Sequence, residues 1–226
     1  MTSEQDSPMI MTIAVLGGTG KEGSGLAMRW ALNGYRVIIG SRDAGRAQAR
    51  ATELNEQIGG DYLTGMDNTS AAAAADLVVL SVPYSAHKVT IESVLDQLSG
   101  KILVDVTVPL QPPAVRTVHV PSGKAAGLEA QSIVGEDVRV VSAFQNVSAV
   151  KLKQPDTDVN CDVLVCGDNA DAKAEVIKLV EAADMRGIDA GPLANAVALE
   201  SLTPVLLYIN KTYGVKGAGI RITNLD

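Results

Sequence analysis

The chain has 226 residues and a formal net charge of −7, and 46% of its residues are hydrophobic while 3% are aromatic. A chain of this length can bury a substantial core in one large domain, with or without a smaller second region. Its acidic balance argues against nucleic acid or an anionic membrane surface as a partner, because both are polyanions that attract basic patches.

The chain begins with a polar stretch, and residues 1–10 predict a flexible tail. Residues 1–8 lack the basic start and apolar middle of a signal peptide, and no apolar run approaches the roughly 20 residues of a membrane span. We therefore expect a cytoplasmic protein that binds neither a membrane nor nucleic acid.

A glycine-rich turn follows the first apolar run. Residues 13–16 predict a buried strand, residues 26–32 predict a helix, and between them Gly18, Gly20 and Gly23 have the spacing G-x-G-x-x-G. In a dinucleotide-binding fold the first glycine permits a tight turn, the second lets the backbone approach a pyrophosphate, and the third lets helix and strand pack closely. Because a helix N-terminus also attracts phosphate, the turn predicts a pyrophosphate site. The alternative is an ordinary strand-to-helix turn without a ligand.

The residues after the second strand indicate which dinucleotide is bound. Residues 36–40 predict that strand, and an NAD-binding chain usually places an acid near its end for the ribose hydroxyls. Here Ser41 and Arg42 follow, and Arg46 lies four residues after Arg42, which predicts both arginines on one helix face, gripping a 2′-phosphate. This pattern favours NADP. The alternative is that both arginines are solvated and that Asp43 binds the ribose, although Asp43 also suits the first turn of a helix.

Further apolar runs predict strands of the same sheet over residues 77–82, 102–108 and 138–144. Helices are predicted over residues 43–58, 71–76, 85–98 and 123–134, and residues 64–70 read as a turn. In a doubly wound sheet the carboxyl ends of the strands face the ligand. The strand-end residues that this rule makes candidate cofactor contacts are Val82, Pro83, Gln145, Asn146 and Val147.

Three other side chains invite a functional interpretation. His87, in a predicted helix start, is interpreted as a surface or capping residue rather than a catalyst. The only cysteines, Cys161 and Cys166, fall on opposite faces of a strand-like segment, which favours buried thiols over a disulfide or a metal site.

A smaller region is predicted after residue 150. It contains a strand over residues 162–166, a helix over 170–183 and a long helix over 194–212. Pro204 lacks an N–H group, so we expect the segment 200–204 to interrupt and kink the long helix. The glycines of residues 214–219 predict a hinged loop that closes over a ligand. The fold class is therefore α/β: a Rossmann doubly wound parallel sheet over residues 11–150 with a small C-terminal α/β extension over 151–226.

Five short motifs together resemble the F420-dependent NADP reductases. They are Gly-Gly-Thr-Gly after the first strand, Gly-Ser-Arg after the second, Val-Cys-Gly-Asp at 165–168, Asp-Ala-Gly-Pro-Leu at 189–193 and Glu-Ser-Leu-Thr-Pro at 200–204. The resemblance runs from about residue 11 to the C-terminus. It implies a homodimer that passes a hydride between NADP(H) and the deazaflavin coenzyme F420, with the two cofactors meeting in a cleft between a Rossmann domain and a small C-terminal domain that also contributes to the dimer contact.

The resemblance also assigns roles to individual positions. It places the pyrophosphate along Thr19, Gly20, Lys21 and Glu22, and the 2′-phosphate at Ser41, Arg42 and Arg46. It places the deazaflavin against Gln145, Asn146, Val147, Ser201, Thr203 and Pro204. Archaeal members carry His where this chain has Gln145, and usually Lys where it has Arg46.

The predicted reaction asks little of side chains. Hydride transfer between two carriers needs no nucleophile, metal or strong base, and no catalytic residue or metal ligand is assigned. Two alternatives stay open: a reductase of the same fold acting on a flavin, a ferric chelate or an imine, and a non-catalytic module that senses NADP. An imine reductase would need a longer helical extension than this chain offers.

Overall fold

A computed structural model describes residues 11–225, so the predicted tail over residues 1–10 lies outside the described residues. The strands are β1 (Thr12–Leu16), β2 (Arg36–Ser41), β3 (Leu63–Asp67), β4 (Leu77–Leu80), β5 (Ile102–Asp105), β6 (Arg139–Ser142), β7 (Asp162–Gly167) and β8 (Arg186–Asp189). The helices are α1 (Lys21–Leu32), α2 (Ala44–Ile58), α3 (Asn68–Ala74), α4 (Tyr84–Ser93), α5 (Ala126–Val134), α6 (Ala149–Leu152), α7 (Ala170–Glu181) and α8 (Ala196–Tyr213).

The strands form one sheet in the order β3-β2-β1-β4-β5-β6-β7-β8. Neighbouring strands are parallel except β6 and β7, which pair antiparallel. The direction in which strands are added reverses between β1 and β4, and ligands of doubly wound sheets bind in the crevice at this point. The predicted α/β doubly wound fold is confirmed.

Alternation along β1 explains why the sheet is covered on both faces. Ile13 and Val15 belong to one core cluster, whereas Ala14 and Leu16 belong to another. Successive side chains of a strand point to opposite faces, so an unbroken apolar run is stable only with helices on both sides. The same reasoning applies to β4, whose four residues are all buried.

The C-terminal strands extend this sheet and share its core. Val163 and Val165 of β7 belong to the same cluster as Ile13, and Trp30 of α1 donates a hydrogen bond to the carbonyl of Leu179. The buried guanidinium of Arg29 donates to the carbonyls of Lys151, Leu152, Gln154, Thr157 and Ala183. Helix α1 therefore anchors the chain on both sides of β7, and the division at residue 150 stays a prediction.

Two strands were absent from the sequence prediction. The turn predicted over residues 64–70 is wrong, because Leu63–Asp67 forms β3 and pairs in parallel with β2. Its polar composition hides it, and Gly65 lies so close to α2 that a Cβ atom would be 2.3 Å from the Ala47 backbone. The other missed strand is β8. Its residues form a strand by hydrogen bonding in parallel to β7.

Several helix bounds differ from their predictions: α3 begins at Asn68 rather than residue 71, α4 ends at Ser93 rather than residue 98, and α5 begins at Ala126 rather than residue 123. The differences in α1 and α8 bear on the site. Helix α1 begins at Lys21, directly after the glycine turn, rather than at residue 26. The predicted interruption of α8 is wrong: the helix runs from Ala196 to Tyr213 with Pro204 buried inside it. One missing N–H group removes a single backbone hydrogen bond, which packing of the helix can offset.

The long C-terminal helix also bears on the membrane question. Within residues 11–225, Leu193–Tyr213 is the one helix whose length and composition would allow it to cross a membrane, with a mean hydropathy of 1.2. The expectation that no apolar run approaches this length is therefore corrected. Core helices of soluble proteins can have the same length and hydropathy, so this helix is weak evidence for a membrane span.

Candidate functional site

The glycine turn between β1 and α1 is tighter than its motif suggested. Gly17 carries the left-handed φ of +74°, so it shares with Gly18 the predicted role of permitting the turn. A Cβ atom on Gly17 would lie 2.3 Å from the Ser81 carbonyl oxygen, and one on Gly18 would lie 2.7 Å from that of Val15. A Cβ atom on Gly23 would be 3.1 Å from the Gly18 Cα, so α1 packs closely on the turn as predicted.

A cavity of about 490 Å³ lies between this turn, the end of β2 and the start of α4; we call it the β2 groove. Its lining includes the predicted residues Thr19, Gly20, Ser41, Arg42, Arg46, Val82 and Pro83. Both arginines are exposed and both line the groove. Charged side chains at the rim of an open groove are available to an anionic ligand.

The start of α2 assigns Asp43 a structural role. Its carboxylate accepts the Arg46 backbone N–H at 2.8 Å and caps the helix, which begins at Ala44. Arg42 therefore precedes α2, and the expectation that Arg42 and Arg46 share a face of that helix is wrong. They approach the groove from the loop and from the first turn of α2, respectively.

A second cavity, of about 600 Å³, lies beneath α8; we call it the α8 cavity. The predicted residues that line it are Gly20, Lys21, Glu22, Val82, Pro83, Gln145, Asn146, Val147 and Thr203. Gly20, Val82 and Pro83 also line the β2 groove. The two spaces therefore adjoin at the carboxyl ends of β1 and β4.

Three predicted residues do not line either space. Gly18 is buried in the turn, Pro204 is buried within α8, and the Ser201 hydroxyl donates to the Val197 carbonyl at 2.6 Å. The α8 cavity instead receives Leu206, Leu207 and Asn210 of α8, together with Val215–Ala218. The glycine-rich tail thus borders a cavity, as its composition predicted.

Buried polar atoms lie at the floor of the α8 cavity. Thr107 and Gln145 are 2% and 3% exposed, and among the described residues neither Thr107 Oγ1 nor Gln145 Oε1 has a hydrogen-bond partner. Gln145 Nε2 donates to the Asp105 carbonyl at 2.8 Å, and the Thr203 hydroxyl donates to the Gln145 carbonyl at 2.6 Å. Leaving a buried polar atom unpaired costs about 1–3 kcal/mol, so these atoms suit a ligand with polar groups on its edge.

A buried pair lies behind this floor. His87 Nε2 is 2.7 Å from Asp105 Oδ2, and Asp105 Oδ1 accepts the Thr107 N–H at 2.9 Å. The interpretation of His87 as a surface residue is wrong, since it is 1% exposed. Burial lowers its pKa, but the hydrogen bond and charge of Asp105, with the charges of Glu129 and Glu200, outweigh burial and raise the pKa of His87 overall. Only the fold brings Asp105 to His87, so no sequence motif marked the pair.

Two partly or fully buried carboxyl groups, those of Glu22 and Glu200, have raised pKa values. Loss of water around Glu22, which lines the α8 cavity, raises its pKa to about 8. Burial of Glu200 raises its pKa to about 7, against the hydrogen bonds that it accepts from the N–H groups of Ala126 and Gly127. At neutral pH Glu22 is mostly uncharged, which suits a position that the resemblance assigns to a pyrophosphate.

The sulfur atoms play no part in either space. Cys161 and Cys166 are buried and free, which confirms the prediction of buried thiols. Among residues 11–225 no group of three or more His, Cys, Asp or Glu side chains is placed to hold a metal ion.

Comparison with known proteins gives a consistent result. A family model described as NADP oxidoreductase coenzyme F420-dependent matches residues 12–109. The chain is 44% identical over 224 residues to the F420-dependent NADP reductase of Methanothermobacter thermautotrophicus, covering 96% of this chain and 97% of that protein. It is 42% identical over 225 residues to the reductase of the same name from Methanocaldococcus jannaschii, covering 96% and 100%. The crystal structure of a candidate F420-dependent NADP reductase from Arthrobacter sp. FB24 is similar with a TM-score of 0.78 and 28% identity, covering 95% of this chain and 100% of that chain.

Proposed function

The chain belongs to the F420-dependent NADP reductase family, and we propose that it transfers a hydride between NADP(H) and coenzyme F420. The observation that carries the proposal is the meeting of the β2 groove and the α8 cavity at Gly20, Val82 and Pro83. Two adjoining spaces allow two carriers to be bound with their reactive ends together. Such proximity supplies most of what a hydride transfer needs from a protein.

In this proposal the β2 groove binds the adenosine half of NADP(H). Ser41 donates to the 2′-phosphate, and Arg42 and Arg46 place positive charge beside it. Thr19, Gly20 and the N-terminus of α1 bind the pyrophosphate, because free N–H groups and the helix dipole favour anions. Lys21 adds a cation, and Glu22 stays largely protonated below pH 8, so it does not repel the phosphates.

The α8 cavity holds the reacting rings in this proposal. Its apolar lining, including Val147, Leu206 and Leu207, excludes water from the rings. Thr107 Oγ1 and Gln145 Oε1 offer their unused hydrogen-bonding capacity to the polar ring edges. Thr203 acts through Gln145, whose carbonyl it holds. Ser201 and Pro204 remain predicted contacts that would require α8 to adjust.

The cofactors supply the chemistry, because the hydride leaves one carrier and is accepted by the other. The protein orients them and keeps solvent away. The His87–Asp105 pair has a supporting role: it fixes the Thr107 backbone and thereby the floor of the α8 cavity.

We further propose that the protein is a cytoplasmic homodimer without a membrane or nucleic-acid partner. Val205 and Tyr208 of α8 are 45% and 59% exposed, and an apolar helix face of this kind favours a second protein surface. The acidic net charge supports the expectation about nucleic acid. Sedimentation equilibrium of the purified protein measures its mass, and a monomer would contradict the dimer.

The proposed activity is tested by mixing the protein with NADPH and oxidised F420. We expect the absorbance of the oxidised deazaflavin to disappear, and to return when reduced F420 is mixed with NADP. Parallel assays with a flavin, a ferric chelate and an imine test the alternative substrates. Turnover of one of these, without any change in the deazaflavin, would contradict the proposal.

A further inference from the structure

A third pocket, of about 430 Å³, lies beside the glycine turn. Its charged lining consists of Lys21, Arg46, Arg50, Glu53 and Lys153, and Thr19 and Ala49 complete it. We call it the cation pocket. Lys21 comes from α1, the arginines from α2, and Lys153 from the residue after α6, so three separate segments bring positive charge to one place. Four cations facing one carboxylate is a marked local excess in a chain of net charge −7.

Most of this charge has no ion-pair partner among the described residues. Within residues 11–225 no ion pair involves Lys21, Arg46 or Lys153. Arg50 pairs with Glu53 at 2.5 Å and donates to the Ser24 hydroxyl at 3.0 Å. Glu53 is therefore engaged by Arg50, and its charge also attracts Lys153 without forming an ion pair with it. In the described part of the chain, Lys21, Arg46 and Lys153 are left without an ion-pair partner and are available to an external anion.

A buried donor of Arg50 supports the same conclusion. The Arg50 Nε atom is buried, and within the described chain it has no hydrogen-bond acceptor. A buried, charged donor without an acceptor is costly, so the position suits an incoming oxygen ligand. Arg46 and Arg50 lie four residues apart in α2, which puts both side chains on one face of the helix.

The cation pocket is continuous with the β2 groove, since Thr19 and Arg46 line both. We infer that the cation pocket binds a phosphate monoester and that Arg50 and Lys153, beyond the motif residues, belong to the phosphate-binding machinery. Resting on the proposed function, the ligand is the 2′-phosphate of NADP(H), held from one side by Ser41 and Arg42 and from the other by the cation pocket. Free phosphate has the same chemistry and is the other source of this group.

Lys153 is the residue of the cation pocket that lies farthest in sequence from the nucleotide-binding motifs. It follows α6 in a segment that the buried Arg29 holds through the carbonyls of Lys151 and Leu152. A residue far from the nucleotide motifs in sequence is thereby placed to read the phosphate. The C-terminal part of the chain, predicted to complete the deazaflavin cleft and the dimer contact, then also contributes to the choice between NADPH and NADH.

The test measures the binding of NADPH and NADH to the full chain by titration of nicotinamide fluorescence in a phosphate-free buffer. We expect Lys153→Ala to weaken the binding of NADPH by about fivefold, which corresponds to the loss of one partly exposed ionic contact. The binding of NADH should be unchanged. Arg50→Gln keeps a polar group near Ser24 and should act in the same direction. Lys178→Ala is the matched control, because Lys178 is an exposed lysine on α7 and its loss changes the net charge equally.

Inorganic phosphate distinguishes the two sources. If Lys153→Ala leaves both dinucleotides unaffected but abolishes the thermal stabilisation of the wild-type protein by inorganic phosphate, the pocket binds free phosphate. The inference would be overturned if Lys153→Ala weakened the binding of NADPH and of NADH equally. It would also be overturned if this variant changed neither the binding of the dinucleotides nor the thermal stabilisation by inorganic phosphate. Failure of F420 reduction at saturating NADPH would contradict the proposed function while leaving these binding measurements valid.

Discussion

The β2 groove and the α8 cavity are built on opposite principles. The groove presents exposed charged side chains from one short stretch, in which Ser41, Arg42 and Arg46 are close neighbours in sequence. The α8 cavity presents buried groups from distant segments: Thr203 bonds Gln145 across 58 positions, and Gln145 bonds Asp105 across 40. The residues of a site that binds by charge can lie together in one short sequence motif. A site that binds by shape and by a few buried polar atoms needs the completed fold.

This contrast predicts separable effects. Changes in the groove should alter dinucleotide affinity and its dependence on the 2′-phosphate. Changes in the α8 cavity should alter turnover with F420 and protein stability. A substitution that affects both spaces alters binding and turnover together, whereas a substitution in only one of them alters one property and leaves the other unchanged.

The largest effect is expected from Arg29→Met, which removes the side chain that ties α1 to the segment around α6 and to Ala183. Five carbonyls would lose a buried charged donor, and breaking such a network costs roughly 3–5 kcal/mol. We expect the free energy of unfolding in urea to fall by that amount, with Arg29→Lys recovering part of it. An unchanged unfolding midpoint would show that α1 does not anchor the segment around α6.

Asp105→Asn tests the buried pair behind the α8 cavity. It removes the charge opposite His87, and we expect a loss of roughly 2–3 kcal/mol of stability near pH 6, with NADPH affinity unchanged. The pKa of His87 is raised in the folded protein. Its contribution is therefore fully present below the pKa of the unfolded chain and is lost as pH rises through the folded pKa. Urea unfolding at several pH values should show this decline in the wild type and a flatter profile in the variant.

Arg42→Ala tests the groove alone. Loss of a charge-assisted bond to the 2′-phosphate should weaken NADPH by roughly 10- to 100-fold while changing NADH little. Arg36→Ala is a suitable control, because Arg36 is exposed at the opposite end of β2. Equal losses for NADPH and NADH in a binding titration would remove Arg42 from the recognition of the 2′-phosphate.

Thr203→Val keeps the shape of the side chain but removes its bond to the Gln145 carbonyl. We expect a loss of about 1 kcal/mol in stability and a several-fold rise in the KM for F420. The dissociation constant for NADPH should stay the same. A change confined to NADPH affinity would mean that Thr203 serves the dinucleotide rather than the ring that reacts with it.

The smallest effect concerns pH and Glu22. Its pKa of about 8 means that the carboxyl group ionises as pH rises past neutrality, next to the proposed pyrophosphate site. We expect the affinity for NADPH to fall about threefold between pH 7 and pH 9, since a new negative charge then faces the phosphates. Glu22→Gln should abolish this pH dependence. The raised pKa also predicts that the wild type loses stability as pH rises from about 4.5 through 8, relative to that variant.

The parts of the fold that could be predicted are those in which local pattern and final environment agree. The apolar runs of β1 and β4 are buried, as their composition requires. Asp43 caps α2, one position before the first turn in which it was predicted to lie. The strands β3 and β8 escaped prediction because neither has an unbroken apolar run. Each becomes a strand by hydrogen bonding to a neighbour that is distant in sequence.

The site divides in the same way. That Ser41, Arg42 and the glycine turn line one groove could be predicted, because all of them lie at strand ends or a helix start on the same edge of the sheet. Their role in binding phosphate stays a prediction. The His87–Asp105 pair could not be predicted, because a lone histidine carries no information about which carboxylate will meet it. Lys153 was overlooked for the same reason, since only its position after α6 brings it to Arg46 and Arg50.

The apolar runs of β1 and β4, the glycine turn and the positive charge after β2 could be predicted from the sequence, because each depends on residues that are close along the chain. The tertiary structure alone decided which buried polar groups meet beneath α8, how the C-terminal segments dock on α1, and where unpaired cations converge. These features depend on contacts between residues dozens of positions apart, and their energies exist only once the core has brought the segments together.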